Sequence, residues 1–576
     1  MKTNILITTL IIILALVNTG HSQIIPDYPF KTFLDNNNNL YITGNKYNEA
    51  SNSLDIIIEK YDSEGDPLYQ SSYLNPFGTD RGIDLAVDHF GNVVVTGYVY
   101  NNQTASNDII ILYYNSLGIY LWDTILENFG DDKGMGIDIT TSGGEISEIY
   151  ITGYITNAGT GRDCFTAKYL YNGTQVWQRS YDEDNMDNFA TDIHLDDFHA
   201  YVSGSIREKD FASNDVLMLT YYKNGNLTDS IIYERPGSSE IPVSFSLVNR
   251  SQRPVQKSRS SLTCVTDNIV TRRSQFLTIF FDEDINHQLQ VKWANTFTNG
   301  EGSHVNVPTS LTVDQYENVY VTGYCYNYNN WFQSNGLDFT TIKYTPESGK
   351  YGWKDKVMYY NHNDTSTFGV NDKASSIKLN SQGDIFVAGS CQGSDYGYAY
   401  DRYRGSDLSK YSRSFIPSFI SNVPNGINLN KCAALEIATD GTPLMIVMGW
   451  NESSSYWAAQ KYDADGNIEY TIDNGFPSES PNTSMIKKSE TSLENSPNPF
   501  NPSTVIKYIL SERNNRVQLK VYNMLGMEIS TLVNEIQKKG SYKTVFNASG
   551  LSSGIYFYKL ILNGIPRETK KMMLIK

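Results

Sequence analysis

Residues 82–98 read GIDLAVDHFGNVVVTGY, and residues 308–324 read PTSLTVDQYENVYVTGY. Nine of these seventeen positions are identical without a gap, more than two hundred residues apart. Self-similarity on this scale means that each unit is one supersecondary piece burying its faces against its neighbours. Working outward, a short strand closed by glycine recurs at Gly44, Gly97, Gly153, Gly204, Gly323, Gly389 and Gly449. The spacings are 53, 56, 51, 119, 66 and 60 residues, so the long interval hides one degenerate copy, near SLTCVT at 261–266.

A second signature follows each marker: an apolar run, a turn and an aromatic residue. It begins at Asp55 (DIIIEKYDSEGDPLY), Asp108 (DIIILYYNSLGIYLW), Asp163, Asp215, Asp338 and Tyr456, with weaker copies at 274–293 and 395–403. The total is eight units. Each reads as four strands, which in the second unit fall at 82–87, 92–98, 108–114 and 119–126, separated by Asp, Asn and Gly turns. The third strand is apolar at consecutive positions, as expected when both faces are buried. Sheets stacked face to face around an axis require that. The expectation is an all-β chain: a β-propeller of eight repeats forming seven or eight four-stranded blades over 23–475, followed by a small carboxyl-terminal β-sandwich. The marker glycine is read as turn chemistry, a bulge or a close backbone approach. Trp122, Trp177, Trp293 and Trp353 recur at one repeat position, which points to a structural task between blades.

Bulk properties narrow the function classes. The 576 residues carry a formal charge of −17, with 42 tyrosines and only 19% charged residues. Such a surface repels phosphate backbones and anionic headgroups, so no nucleic-acid or peripheral membrane partner is expected. Residues 1–22 read as a signal peptide, with Lys2 ahead of a thirteen-residue apolar run and cleavage between Ser22 and Gln23. No later stretch reaches spanning length, so the mature chain is expected to lack a membrane span. Cys164, Cys264, Cys325, Cys391 and Cys432 are odd in number and widely spaced, without a CxxC pair, and read as buried small hydrophobes. A basic cluster of Arg250, Arg253, Lys257 and Arg259 interrupts the fifth unit and reads as a solvated loop, with a contact patch for an anionic partner as the functional alternative.

Residues 476–495 are rich in Ser, Thr, Pro and charge and read as a linker. From 496 the chain changes to SPNPFNPSTVIKYIL, RVQLKVYNMLGMEISTLVN and GSYKTVFNASGLSSGIYFYKLIL, an alternating pattern of sandwich strands. This block resembles the type A carboxyl-terminal sorting domain of the type IX secretion system. The match is carried by Pro497, Asn498, Pro499, Phe500, Val521, Tyr522, Asn523, Leu525, Gly526, Leu551, Ser552, Gly554, Ile555 and Tyr556. The resemblance implies an Ig-like sandwich, contact of 496–576 with the type IX machinery, and a secreted or outer-surface location in a Gram-negative bacterium. The repeats resemble the SBBP repeats of bacterial secreted proteins, through the D-x-x-G-N-x-Y/V-V-T-G-Y stretches. That resemblance implies a seven-bladed propeller and no single activity.

Catalytic motifs are sparse. Seven histidines include no HExxH, and His194 and His199 stand five apart outside any helix. Gly550–Gly554 spells GLSSG in a strand-to-strand turn, the wrong setting for a nucleophile elbow. No cofactor is expected. Asp463, Asp465 and Asn467 offer oxygens on alternate residues for calcium, but no bidentate Glu follows at loop spacing, and a β-turn has the same letters. Tyr326, Tyr328 and Trp331, in an irregular loop of the sixth unit, are the candidate binding residues. The functional expectation is a non-catalytic binding, adhesion or scaffold module for an extracellular glycan or protein. The alternative is a secreted carbohydrate- or peptide-degrading enzyme with carboxylates gathered in the propeller funnel.

Overall fold

The structure is a computed structural model. It describes residues 28–474 apart from 49–52, 76, 129, 184, 208–212, 249–258, 269–270, 272, 284–287, 299–304, 327–336, 346–356, 361–371, 393–395, 405–409, 418–427, 451–454 and 463–467. It also describes 493–576 apart from 511–514, 525–526, 538–539 and 563–564. The expected signal peptide with Ser22 and Gln23, residues 463–467, Tyr328, Trp331, Trp353, Arg250, Arg253 and Lys257 therefore lie outside the described residues.

Eight four-stranded antiparallel meanders follow one another: blade 1 (28–73), blade 2 (81–126), blade 3 (133–181), blade 4 (187–233), blade 5 (238–297), blade 6 (306–360), blade 7 (373–417) and blade 8 (428–474). The first strand of each blade contacts the first strand of the next, and the first strand of blade 8 returns to that of blade 1. First strands therefore line the axis and fourth strands form the rim. The count of eight corrects the seven blades that the SBBP resemblance implies. Closure is a packing event, because among the described residues no blade borrows a strand from another. Leu40, Ile42 and Tyr61 of blade 1 share one core with Leu444, Ile446 and Ala459 of blade 8. The Thr32 hydroxyl donates to Glu436 at 2.7 Å across the same seam, and the Thr439 amide donates to the Asn38 side chain at 2.7 Å.

The repeated residues have legible tasks. In blade 2, Asp88 Oδ1 accepts the amides of Phe90 and Asn92, and its Oδ2 accepts the Asn92 side chain at 2.7 Å. Asp35 with Asn39 and Asp314 with Asn318 build the same turn between first and second strands. Asp108, opening the third strand, accepts the Asn101 amide group at 2.7 Å; Asp55 and Asp163 do the same with Asn48 and Asn157. The third strand of blade 1 (Ser53–Tyr61) is buried throughout, as its consecutive apolar letters require.

The marker glycine answers a bulge in the neighbouring strand. The first strand of every blade carries an extra residue opposite it, between Gly82 and Asp84 in blade 2 and between Ala190 and Asp192 in blade 4. The bulge drives the first-strand backbone onto the glycine. A Cβ on Gly97 would sit 1.9 Å from the Arg81 carbonyl oxygen, and one on Gly153 would sit 1.9 Å from that of Lys133. Close approach is the reason for glycine here, and a positive φ is not, since neither residue has one. The missing marker is Cys264, which pairs with Pro242 at the bulge of blade 5.

Tryptophan position and turn glycine interlock between blades. Trp122 Nε1 donates to the Tyr171 carbonyl and Trp177 Nε1 to that of Lys223, each at 3.0 Å and each into the following blade. Cys164, Cys264 and Cys325 are buried free thiols, and burial pushes the Cys325 thiol up to about 12.

The carboxyl-terminal block is a two-sheet sandwich of three and four strands around Ile506, Val517, Leu519, Tyr558 and Leu560. Its first strand, Leu493–Ser496, begins inside the stretch that reads as linker. The Pro497–Phe500 letters clamp the last strand: Asn498 Oδ1 accepts the Met573 amide at 2.9 Å, and buried Phe500 donates to the Met573 carbonyl at 2.9 Å. Among the described residues no helix is long and apolar enough to cross a membrane.

Candidate functional site

Residues just past the first-strand bulges turn polar groups toward the axis. Lys31 Nζ of blade 1 pairs with Asp84 of blade 2 at 3.0 Å. The charges of Asp84, Asp192 of blade 4 and Glu436 of blade 8 all act on that ammonium and hold its pKa above the ordinary lysine range. Groups from blades 1, 2, 4 and 8 can meet only across the channel. Glu436 also pairs with Lys378 of blade 7 at 3.1 Å. His194 lies between Asp138 of blade 3, 3.9 Å from Nδ1, and Asp192, 3.7 Å from Nε2, with the Phe245 ring 5.2 Å away.

Most of these carboxylates also serve as fasteners. Asp84 accepts the Leu85 amide with one oxygen and the Ile137 amide of blade 3 with the other. Asp138 repeats the arrangement with Ile139 and with Leu195 of blade 4. Ser244 takes the same role toward Leu311 of blade 6. Burial raises the pKa of Asp84 and is opposed by Lys31; burial raises that of Asp138 and is opposed by His194. Each is thus a blade-to-blade clamp that also meets a basic side chain, Lys31 for Asp84 and His194 for Asp138.

The turns between first and second strands all lie at one end of the ring. They expose Phe90 at 53%, Phe198 at 53% and Tyr316 at 70% on blades 2, 4 and 6, and Tyr171 at 57% comes from a third-to-fourth-strand turn at the same end. Each of the first three follows a polar residue: His89, Asp197 or Gln315. Phe90 meets the His89 ring edge-on at 5.6 Å and Phe198 the His199 ring at 6.4 Å, and exposed rings with a polar neighbour suit stacking on a sugar with hydrogen bonds to its hydroxyls. Of the residues chosen from sequence, Tyr326 ends the second strand of blade 6, half-buried, its amide on the Val305 carbonyl at 2.8 Å. It belongs to the opposite end of the ring. His194 and His199 part company: His194 reaches the channel, whereas His199 is buried in the seam of blades 4 and 5 beside Asp196 and Glu283, donors suited to a cation.

The sequence signals missed Lys31, Asp84, Asp138, Asp192 and Glu436. A signal existed for two of them, because Asp84 and Asp192 stand in the same place just past the bulge of units two and four, whereas Asp138 lies two residues farther along unit three. Asp80, Asp132 and Asp372 were also missed. They precede first strands and donate their amides to Leu54, Asn107 and Leu337 of the preceding blade.

Residues 496–576 match the family described as the secretion system C-terminal sorting domain. A chain with this tail is handled by a secretion apparatus and is secreted or placed on the cell surface. Solved structures similar to the chain include a eukaryotic initiation factor, at 10% identity and TM-score 0.38 over 78% of this chain and 88% of that one. The β-propeller domain of the Trilobed protease from Pyrococcus furiosus matches at 8% identity and TM-score 0.35, over 69% of this chain and 100% of that one. The WD40 domain of SCAP from fission yeast matches at 9% and 0.34, over 69% and 88%. These likenesses say nothing of what this chain does. No curated protein matches the sequence.

Proposed function

We propose that the chain is exported by a type IX secretion system and that its propeller, built of SBBP-type repeats, is a glycan-binding or adhesive module outside the cell. The reading includes removal of 1–22 after Ser22, a linker over 476–495 whose last residues, 493–495, enter the first sandwich strand, and recognition of 496–576 by the export machinery. The carrying observation is the set of exposed rings at Phe90, Phe198 and Tyr316, carried by stiff hairpins at one end of a closed ring. Repetition at alternate blades suits a polymer of repeating sugars, which engages several weak sites at once. The clamp role of Asp84 and Asp138 supports a non-catalytic ring, since carboxylates tied to backbone amides of two blades are poorly free to shuttle protons.

Glycan-array binding of the chain tests this reading. The triple variant Phe90→Ala/Phe198→Ala/Tyr316→Ala is expected to lose binding at least tenfold, with Tyr326→Ala/Tyr328→Ala/Trp331→Ala as the comparison for the residues chosen from sequence. Binding unaffected by the first variant and abolished by the second moves the site to the blade 6 loop. Absence of binding in all forms refutes the proposal. A second reading, a secreted hydrolase, is favoured by His194 between Asp138 and Asp192 in the lumen. It requires turnover of a polysaccharide or peptide that Asp192→Asn abolishes.

A further inference from the structure

We propose a divalent metal site of the zinc class in the seam between blades 4 and 5, formed by Asp196, His199 and Glu283. The three side chains are 4%, 2% and 1% exposed, and their donor atoms lie within 4.8 Å of one another. His199 Nδ1 stands 3.6 Å from Asp196 Oδ1 and 4.0 Å from Glu283 Oε1. Both separations exceed the roughly 2.7–2.9 Å of a charge-assisted hydrogen bond. Donors bound at about 2.0–2.2 Å in tetrahedral directions stand roughly 3.3–3.6 Å apart, so a small closure of this group around one ion completes three ligands.

The repeat itself marks the place as altered. Blades 1, 2 and 6 close this turn with an asparagine that donates back to the aspartate. Blade 4 is one residue shorter there and sets His199, a metal-ligating side chain, in that role. Blades 1, 3, 6 and 7 also place a cation over the ring opposite it in the sheet: Lys60 over Tyr41, Lys168 over Tyr150, Lys343 over Tyr320 and Arg402 over Phe386. In blade 4 the ring is Tyr201 and the residue opposite is Thr220. A dication supplies, next to two carboxylates, the charge that lysine or arginine supplies elsewhere. Tyr201 donates to Asp196 Oδ2 at 3.0 Å and to Glu283, and the Phe198 and His199 amides hold Asp196 Oδ1, so the ligands are oriented in advance. One nitrogen and two carboxylate oxygens favour zinc over calcium. Burial makes the ion a staple between blades, with no route for substrate.

The test uses the full chain, stripped with chelator and titrated with Zn²⁺, then desalted. One retained zinc per chain, a zinc-dependent rise in Tm, and d–d absorption with Co²⁺ are expected. His199→Asn restores the residue of the sister blades, so it should fold, and Glu283→Gln keeps the shape; both should lose all three signals. His194→Asn should keep them. Failure of the wild type to retain zinc, or retention by His199→Asn equal to the wild type, overturns the site. A glycan-binding result of either sign leaves this outcome untouched, because the zinc readouts are taken without glycan and on chains that keep Phe198, the exposed ring beside His199.

Discussion

Replacing Gly97 with alanine probes the element that sets the repeat. The new Cβ would stand 1.9 Å from the Arg81 carbonyl oxygen, 2.9 Å from its carbon and 3.1 Å from Gly82 Cα. Real Cβ contacts do not fall below 3.0 Å, so the first and second strands must part by about 1 Å at the bulge. The site is backbone against backbone, and no rotamer change relieves it. Forcing volume into a packed site costs about 1–3 kcal/mol, and weakening a ladder hydrogen bond adds about 1 kcal/mol. Against this, alanine restricts the unfolded chain and returns about 0.4–1 kcal/mol. The clash wins, and a net loss of about 1–3 kcal/mol is expected. Urea unfolding followed by tryptophan fluorescence would read it as a lowered midpoint. Gly153→Ala should behave alike, since Lys133 presents its oxygen at the same 1.9 Å. Gly550→Ala, with nothing within 4 Å of the new atom, should stay within about 0.5 kcal/mol of the parent. A Gly97→Ala protein as stable as the parent would refute the close-approach account of the marker.

Asp80 and Asp132 have no exposed surface, and burial pushes each carboxyl up to about 7. A raised carboxyl binds its proton more tightly folded than unfolded, so its contribution grows as pH falls from about 7 towards 4 and is lost on the way back. Each contributes a slope of up to about 1.4 kcal/mol per pH unit in that window, and Asp80→Asn/Asp132→Asn should flatten stability against pH there. Trp177→Phe deletes the donor to the Lys223 carbonyl and uncovers Gly225, and is expected to cost about 1–3 kcal/mol in urea unfolding. Asn498→Ala frees the Met573 amide at the sandwich's last strand, so hydrogen exchange should accelerate at 570–575 while the propeller amides stay protected.

Local letters carried the blade and little of the site. The D-x-x-x-N turn, the consecutive apolar third strand and the marker glycine each act within one hairpin, so their spacing betrays them. Lys31, Asp84, Asp192 and Glu436 meet across an axis that exists only once eight sheets close. Blade closure likewise joins His199 to Glu283, from different sheets. Cys264 shows the other limit. It holds the marker position although a side chain replaces the hydrogen, and the bulge at Pro242 persists beside it; nothing in the structure explains why cysteine is tolerated there. The Pro497–Phe500 run was legible as a motif, but its task, gripping a strand more than seventy residues later, is a tertiary fact.

Ring closure is most directly tested at the seam of the first and last blades. Asn38 and Thr439 meet there, with the Thr439 amide 2.7 Å from the Asn38 side chain, although 401 residues separate them. An Asn38→Cys/Thr439→Cys chain treated with a short bismaleimide should cross-link internally in high yield, mapped by mass spectrometry, whereas each single variant should not. An open arc or a solenoid would leave the pair unlinked, and that result would contradict the eight-bladed ring.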